Sequence, residues 1–257
     1  MKRFNTSVLV VFLIMIGVRG LFADTGKVIP LPSGDKVILE QVLGSGVVGK
    51  AIQAMPIADT SQYVHLQEAS WTFRYTNGKK KGQNVIQTMS ELKRDTSHNS
   101  WRYSVAHGNV YFLNKDQKGV LSVTSEQDIN EGVISRYSPY EPMFVPGLKP
   151  GERRKTKIDV KIYDLSKPTH LSHQGSLDLT LSYIGAYEVH VPAGTFKGSL
   201  IKWHYNGKVG PAKVDDVQYR FLAEKVGIVA MIDKRNISAV LVYHDRSKIG
   251  KVLVKHP

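Results

Sequence analysis

Ser70-Trp71-Thr72-Phe73-Arg74-Tyr75 places an aromatic ring at every second position, with Thr72 and Arg74 between them. Side chains alternate across a strand with period two, so the three rings share one face and the polar pair takes the other. A helix would need apolar spacings of three and four. Asn77-Gly78, followed by Lys79, Lys80, Lys81 and Gly82, reads as a polar hairpin loop. Working outward, the same reading marks strands over residues 85–89, 101–105, 110–113, 119–123 and 133–137. A second group covers 157–163, 177–183, 187–191, 196–205, 217–223, 228–233 and 239–244. Pro139, Pro142, Pro146 and Pro150 read as a long connection between the groups.

Many short strands joined by turn signals, with little helix, predict an all-β protein. The expected architecture is one continuous antiparallel curved sheet forming a barrel or half-barrel, with a sandwich as the alternative. Residues 24–64 lack alternation and contain Pro30, Pro32 and Pro56. A short helical segment is expected within 37–54, weakened by Gly44, Gly46 and Gly49. The division is therefore 1–23 as an export signal, 24–64 as an N-terminal segment and 65–257 as the β domain.

The export reading rests on Lys2 and Arg3, then the apolar run Val8 to Val18, then a small-residue stretch before Asp24. That run rises about 16 Å as a helix, well short of a bilayer core of roughly 30 Å. Cleavage after Gly20 or Ala23 and retention as an anchor are the alternatives. No later stretch approaches a membrane span. The location expected is periplasmic or outer-envelope.

The 257 residues carry 35 Lys plus Arg against 22 Asp plus Glu, a formal charge of +13. Residues 1–23 hold Lys2, Arg3 and Arg19 and no acid, so +13 falls to +10 without them. With no cysteine, disulfides, thiolate metal sites and cysteine nucleophiles are excluded.

Several motifs read as structure. Gly44-Ser45-Gly46-Val47-Val48-Gly49 matches a dinucleotide-binding glycine pattern, but alternating βα units do not follow it. Lys50 completes a near-Walker loop in which Ala51 replaces the hydroxyl that reaches magnesium. His170 with His173, and His190 with His204 across a hairpin, supply pairs where a metal needs three or four ligands. Asp215 and Asp216 point to opposite faces of an extended chain. His170, His173 and Asp215 are the candidates if the protein is a hydrolase. No catalytic residue, metal or cofactor is assigned.

The cations are concentrated. Arg153, Arg154, Lys155, Lys157 and Lys161 lead into and line one strand, opposite Ile158, Val160 and Ile162. Lys248, Lys251 and Lys255 make the C-terminus basic. Such a face attracts anionic surfaces. Nucleic acid is not expected, because the aromatics alternate like core residues and no RNP-type motif is present.

Gly185-Ala186-Tyr187-Glu188-Val189-His190-Val191-Pro192-Ala193-Gly194-Thr195-Phe196, followed by Val226-Gly227-Ile228-Val229, resembles the VPAGTF and GVGLV-like signature of exported bacterial β-rich proteins of unknown function. Leu148-Lys149-Pro150-Gly151 is similar to their entry into a strand, and Ser70 to Tyr75 to their early aromatic strand. Phe221 to Lys225 departs from their pattern. The resemblance implies an antiparallel sheet in an envelope protein and no reaction.

Two functions are expected to compete. One is a non-catalytic binding or carrier module for an apolar or anionic envelope ligand such as a lipid, lined by Trp71, Phe73, Trp101, Tyr103, Leu179, Tyr183, Trp203 and Tyr205. The other is an interaction protein docking on envelope polymers or a partner through the basic strand. The oligomeric state is left open.

Overall fold

A computed structural model describes residues 26–64, 66–92, 99–239 and 243–257. The expected export signal at 1–23 lies outside them. The elements are β1 (Lys27–Val28), α1 (Ser33–Leu43), β2 (Val48–Ala54), β3 (Ala69–Tyr75), β4 (Asn84–Glu91), β5 (Ser100–Val105), β6 (Asn109–Lys115) and β7 (Leu121–Asp128). There follow β8 (Val133–Phe144), β9 (Arg153–Asp164), β10 (Leu171–Val191), β11 (Gly194–Val209), β12 (Ala212–Ala223), β13 (Gly227–Ala239) and β14 (Tyr243–Lys255).

From β3 to β14 each strand pairs antiparallel with the next, and β14 returns to β3. The return pairs Lys251 with Tyr75 and Leu253 with Phe73. The result is a closed barrel of twelve strands, β3 to β14. The all-β barrel reading therefore holds, and neither the half-barrel nor the sandwich is adopted. Closure leaves the ring without an edge strand to protect.

Several boundaries differ from expectation. β8 runs through Pro139 and Pro142, so the connection over 139–150 begins only after Phe144. The prolines are tolerated because the register of β8 against β7 shifts there, where a ladder N–H is dispensable. The strands expected at 177–183 and 187–191 are one, β10, with a bulge between Tyr183 and Gly185. The strand expected at 239–244 is instead the end of β13 and the start of β14, around residues 240–242, which lie outside the description.

The helix lies earlier than expected. It starts after Pro32 and ends at Leu43, where the Gly44 N–H donates to the Glu40 carbonyl at 3.1 Å. Gly44 has φ 107° and Gly46 φ 85°, conformations that glycine alone adopts freely. The glycine motif is thus a turn from helix into strand, the reverse of the strand-to-helix order that grips a pyrophosphate. β2 then pairs with the second half of β10 through Ala186↔Ile52 and Tyr187↔Ala51.

Residues 26–64 serve the barrel from outside. Leu39, Val42 and Leu43 give α1 a buried face, and Asp35 accepts from Lys202 Nζ at 2.8 Å and Tyr219 Oη at 2.7 Å on the barrel's outer surface. Segment 55–64 crosses one barrel end. Ile57 pairs with Leu148, Thr60 Oγ1 donates to the Gly119 carbonyl at 2.6 Å, and the Lys225 N–H donates to the Gln62 carbonyl at 2.7 Å. These anchors lie in the turns β8–β9, β6–β7 and β12–β13, all at that end. Apolar inward side chains such as Phe73, Leu113, Leu121, Leu179 and Leu181 fill the adjoining interior. Each contributes about 1.5–3 kcal/mol by burial.

Candidate functional site

Above this apolar layer the barrel is not filled. A cavity of about 320 Å³ remains in the lumen, near the lower edge of the roughly 300–1,000 Å³ of small-molecule pockets. Twelve strands enclose a wider interior than eight, and the inward side chains do not all meet across it. Val105, Val123, Met143, Phe144, Leu177 and Ile228 supply apolar walls. The lining reaches Glu131, an exposed residue in the turn between β7 and β8, so the cavity meets solvent there.

Charge enters the lumen by alternation. On β13, Asp233 and Arg235 share the face of Met231 and Ile237. On β12, Asp216, Gln218 and Arg220 share the face of Val214, and on β14 Lys251 turns inward. Six carboxylates line the cavity, from Glu126, Asp128, Glu131, Glu141, Asp216 and Asp233, against three cations, Arg220, Arg235 and Lys251. The protein is basic overall and acidic inside.

The cations are committed. Arg220 Nη2 donates to Asp233 Oδ1 at 2.6 Å and to Gln218 Oε1 at 2.9 Å, while Nη1 donates to the carbonyls of Ile232 at 3.0 Å and Tyr219 at 3.1 Å. Lys251 Nζ lies 4.0 Å from Asp233 Oδ2, and Arg235 Nη1 4.0 Å from Asp128 Oδ2. Burial alone would raise the Asp233 carboxyl, but Arg220, then Lys251, hold it below the usual carboxylate range. Burial pulls the Lys251 ammonium down despite Asp233.

Two carboxylates accept hydrogen bonds only from neutral groups, although Arg235 attracts Glu126 and Arg220 attracts Glu141. Glu126 accepts from Tyr137 Oη at 3.1 Å and from Asn109 Nδ2. Glu141 accepts from Tyr205 Oη, a contact that spans the lumen from β8 to β11. Trp203 Nε1 makes a parallel brace to the Pro142 carbonyl at 3.3 Å. Burial pushes the Glu141 carboxyl up to about 7, with Glu126 adding to the rise and the Tyr205 hydroxyl and Arg220 opposing it. Burial also raises the hydroxyls of Tyr103, Tyr111, Tyr137 and Tyr205, which stay neutral donors.

Of the expected lining residues, Tyr103, Trp203 and Tyr205 border this cavity. Trp71 and Phe73, with Tyr103, border a second apolar space of only about 30 Å³. Trp101, Leu179 and Tyr183 are buried core. Tyr183 Oη donates to the Met55 carbonyl at 2.9 Å and meets Ser199 Oγ at 2.8 Å. The ionisable lining is not among the residues expected to line a ligand site, although Asp216 and Lys251 belong to it. Their signal was present in Lys251, which has the parity of Ile249 and Leu253 and so belongs to the inward face of its strand.

Arg153, Lys155, Lys157 and Lys161 project outward from β9 and are exposed. Arg154 lies on the opposite face, where Nε donates to Glu152 Oε1 at 2.6 Å and Nη2 to the Gly147 carbonyl at 3.0 Å. His190 pairs across the β10–β11 ladder with Thr195, and His204 with Thr180, so the two histidines do not face each other. His204 Nε2 instead meets Asp215 Oδ1 at 2.8 Å. Asp215 stands opposite Asn206 and hence level with Asp178, five residues and about 16 Å along β10 from His173. The hydrolase candidates are not brought together. Among the described residues no group of three or more His, Asp or Glu is placed to hold a metal. No helix there is long and apolar enough to cross a membrane.

No family model matches the chain, and no curated protein does. Three solved structures are similar to it. A protein inferred to be exported, with a YmcC-like fold, from Bacteroides fragilis is 11% identical over 79% of this chain and 99% of its own, with a TM-score of 0.40. The hypothetical lipoprotein YmcC from Escherichia coli is 9% identical over 87% and 97%, also with a TM-score of 0.40. A protein inferred to be a lipoprotein, from Parabacteroides distasonis, is 11% identical over 80% and 100%, with a TM-score of 0.36. Likeness at this level carries no argument about function.

Proposed function

We propose that the protein is an exported, non-catalytic binding or carrier module that holds a small envelope molecule in the barrel lumen. The observation that supports this reading is the cavity of about 320 Å³, walled by apolar side chains, studded with polar ones and meeting solvent near Glu131. A core selected for stability alone packs without such a void. The sequence of residues 1–23 supports export.

Ser135 lines the cavity on β8. Ser135→Trp fills the lumen while keeping a residue suited to a strand. Denaturing extraction of the purified protein, followed by mass spectrometry, is expected to release one reproducible small molecule from the wild type. The folded Ser135→Trp protein should release none. Equal recovery from both, or an empty wild type under gentle purification, overturns the reading.

A second reading is docking on an anionic surface, favoured by the four exposed cations on the outer face of β9. Its test is sedimentation with vesicles containing anionic lipid. Binding should be strong near 0.01 M salt and fade near 0.1 M, as the Debye length falls from about 30 Å to about 10 Å. Lys155→Glu, Lys157→Glu and Lys161→Glu together should abolish it. Retained binding by the triple variant would remove β9 as the docking face.

A further inference from the structure

Lys251 is the only primary amine among the described residues that line the cavity, and it is 8% exposed. A lysine that braces a fold is tightly paired, as Lys202 is, with Nζ 2.8 Å from Asp35 Oδ1. The Lys251 Nζ stands 4.0 Å from Asp233 Oδ2, beyond hydrogen-bond reach, and Asp233 is already held by Arg220 at 2.6 Å. The other lumen cations, Arg220 and Arg235, are guanidiniums that stay protonated. Of the three, Lys251 alone can become an uncharged nucleophile.

The surroundings of Lys251 suit that role. The cavity of about 320 Å³ reaches from its side chain to solvent near Glu131. Tyr103, Met143, Phe144 and Ile228 wall both this cavity and the smaller apolar space beside Trp71 and Phe73, so an apolar chain has somewhere to lie. The centroid of the Tyr75 ring is 5.6 Å from Nζ, an aromatic face for a cation formed there. Burial, reinforced by the charges of Arg220, Arg235 and Lys80, disfavours the ammonium against the pull of Asp233. Desolvation beside other cations is what activates a lysine for attack on a carbonyl.

We propose that Lys251 holds an apolar aldehyde in the lumen as a reversible imine, with Asp233 as the counter-ion of its protonated form. This rests on the lumen-binding reading and names both the ligand class and the point of attachment. The neutral amine nitrogen attacks the carbonyl carbon, and the C–N bond forms as the carbonyl π pair moves to oxygen. Water then leaves, both its hydrogens coming from the amine, and an imine remains. A proton from solvent gives the iminium, which keeps the positive charge opposite Asp233. Hydrolysis runs the same steps backward and releases the aldehyde, so no oxidant or reductant is consumed. An uncharged ligand also meets no repulsion in a lumen where six carboxylates face three cations.

The test treats the full chain with a limiting amount of hexanal and cyanoborohydride, which reduces an iminium to a stable amine. Peptide mass spectrometry then maps the hexyl group. Lys251 should be modified at least about tenfold more than any exposed lysine, with Lys79, Lys80 and Lys81 as the internal reference. The preference should vanish in urea, where every lysine meets solvent. Lys251→Arg should remove the lumen label and leave the reference lysines unchanged. Labelling confined to exposed lysines, or a Lys251 preference that survives unfolding, overturns the proposal. Either result leaves the lumen-binding reading to the extraction experiment, in which a recovered small molecule supports it and an empty protein overturns it. The wild-type map and its urea control decide the matter even if Lys251→Arg does not fold.

Discussion

Asp233→Ala is expected to destabilise the barrel by about 3–5 kcal/mol, because it leaves two cations in the lumen without their counter-ion. Arg220 donates to Asp233 at 2.6 Å and Lys251 approaches it at 4.0 Å. Their side chains are only 16% and 11% exposed, and that exposure faces the cavity. Urea unfolding followed by tryptophan fluorescence measures the loss, since Trp71, Trp101 and Trp203 are all buried. A loss below about 1 kcal/mol would show that the lumen is wet enough to screen the pair. The pH dependence has a definite sign. The folded Asp233 carboxyl is held below its usual range. Its contribution is therefore present above about pH 4, the unfolded value, and is lost as pH falls through the lower folded value. The gap between wild type and variant should narrow in acid and persist at neutral pH.

Gly175→Ala should cost at least about 3 kcal/mol, at or beyond the upper end of ordinary overpacking. A Cβ at Gly175 would lie 2.0 Å from the Lys208 carbonyl oxygen and 2.6 Å from Val209 Cα. A Cβ at Gly207, on the facing strand, would lie 2.2 Å from the Ser176 carbonyl oxygen. The obstacles are backbone atoms of paired strands, so relief requires β10 and β11 to separate. That opens the longest hairpin ladder of the ring at the end away from its turn, where Gly175 pairs with Val209. The same unfolding assay, with circular dichroism to check strand content, reads the effect. Gly132→Ala is a useful contrast, because a Cβ there meets nothing within 4 Å and the only strain comes from φ 66°. Wild-type stability for Gly175→Ala would show that β10 and β11 separate there without cost.

The sequence was legible wherever the information is local. Trp71, Phe73 and Tyr75 were expected on one strand face, and Trp71 and Phe73 are core. The reversal after Val191 is a turn through Pro192 and Ala193, with Gly194 at φ 135°. The opposed directions of Asp215 and Asp216 also follow from the pleat, one meeting His204 outside and the other lining the lumen. What failed was of two kinds. β8 continues through Pro139 and Pro142, because a bulge removes the need for their N–H groups, and nothing in the local pattern announces a bulge. Residue type alone sends the charges of the lumen to the surface. Type groups Lys251 with Lys248 and Lys255 as a basic tail, although it has the parity of Ile249 and Leu253. Parity was the better guide, since an inward charge is tolerated where its partner also faces inward.

By itself the sequence determined that the chain forms strands, where most of them lie, and which face of each is apolar. These follow from the two-residue repeat of side chains along an extended backbone, which every short window displays. Only the tertiary structure decided that the sheet closes, that Lys251 meets Asp233, and that Glu141 reaches Tyr205 across the interior. Those outcomes depend on how many strands join and in what register, and they bring together residues 18 positions apart for Lys251 and Asp233, 64 for Glu141 and Tyr205, and 176 for Lys251 and Tyr75. Whether the inward side chains meet or leave a space is set by the circumference of the ring, and no single strand carries that length.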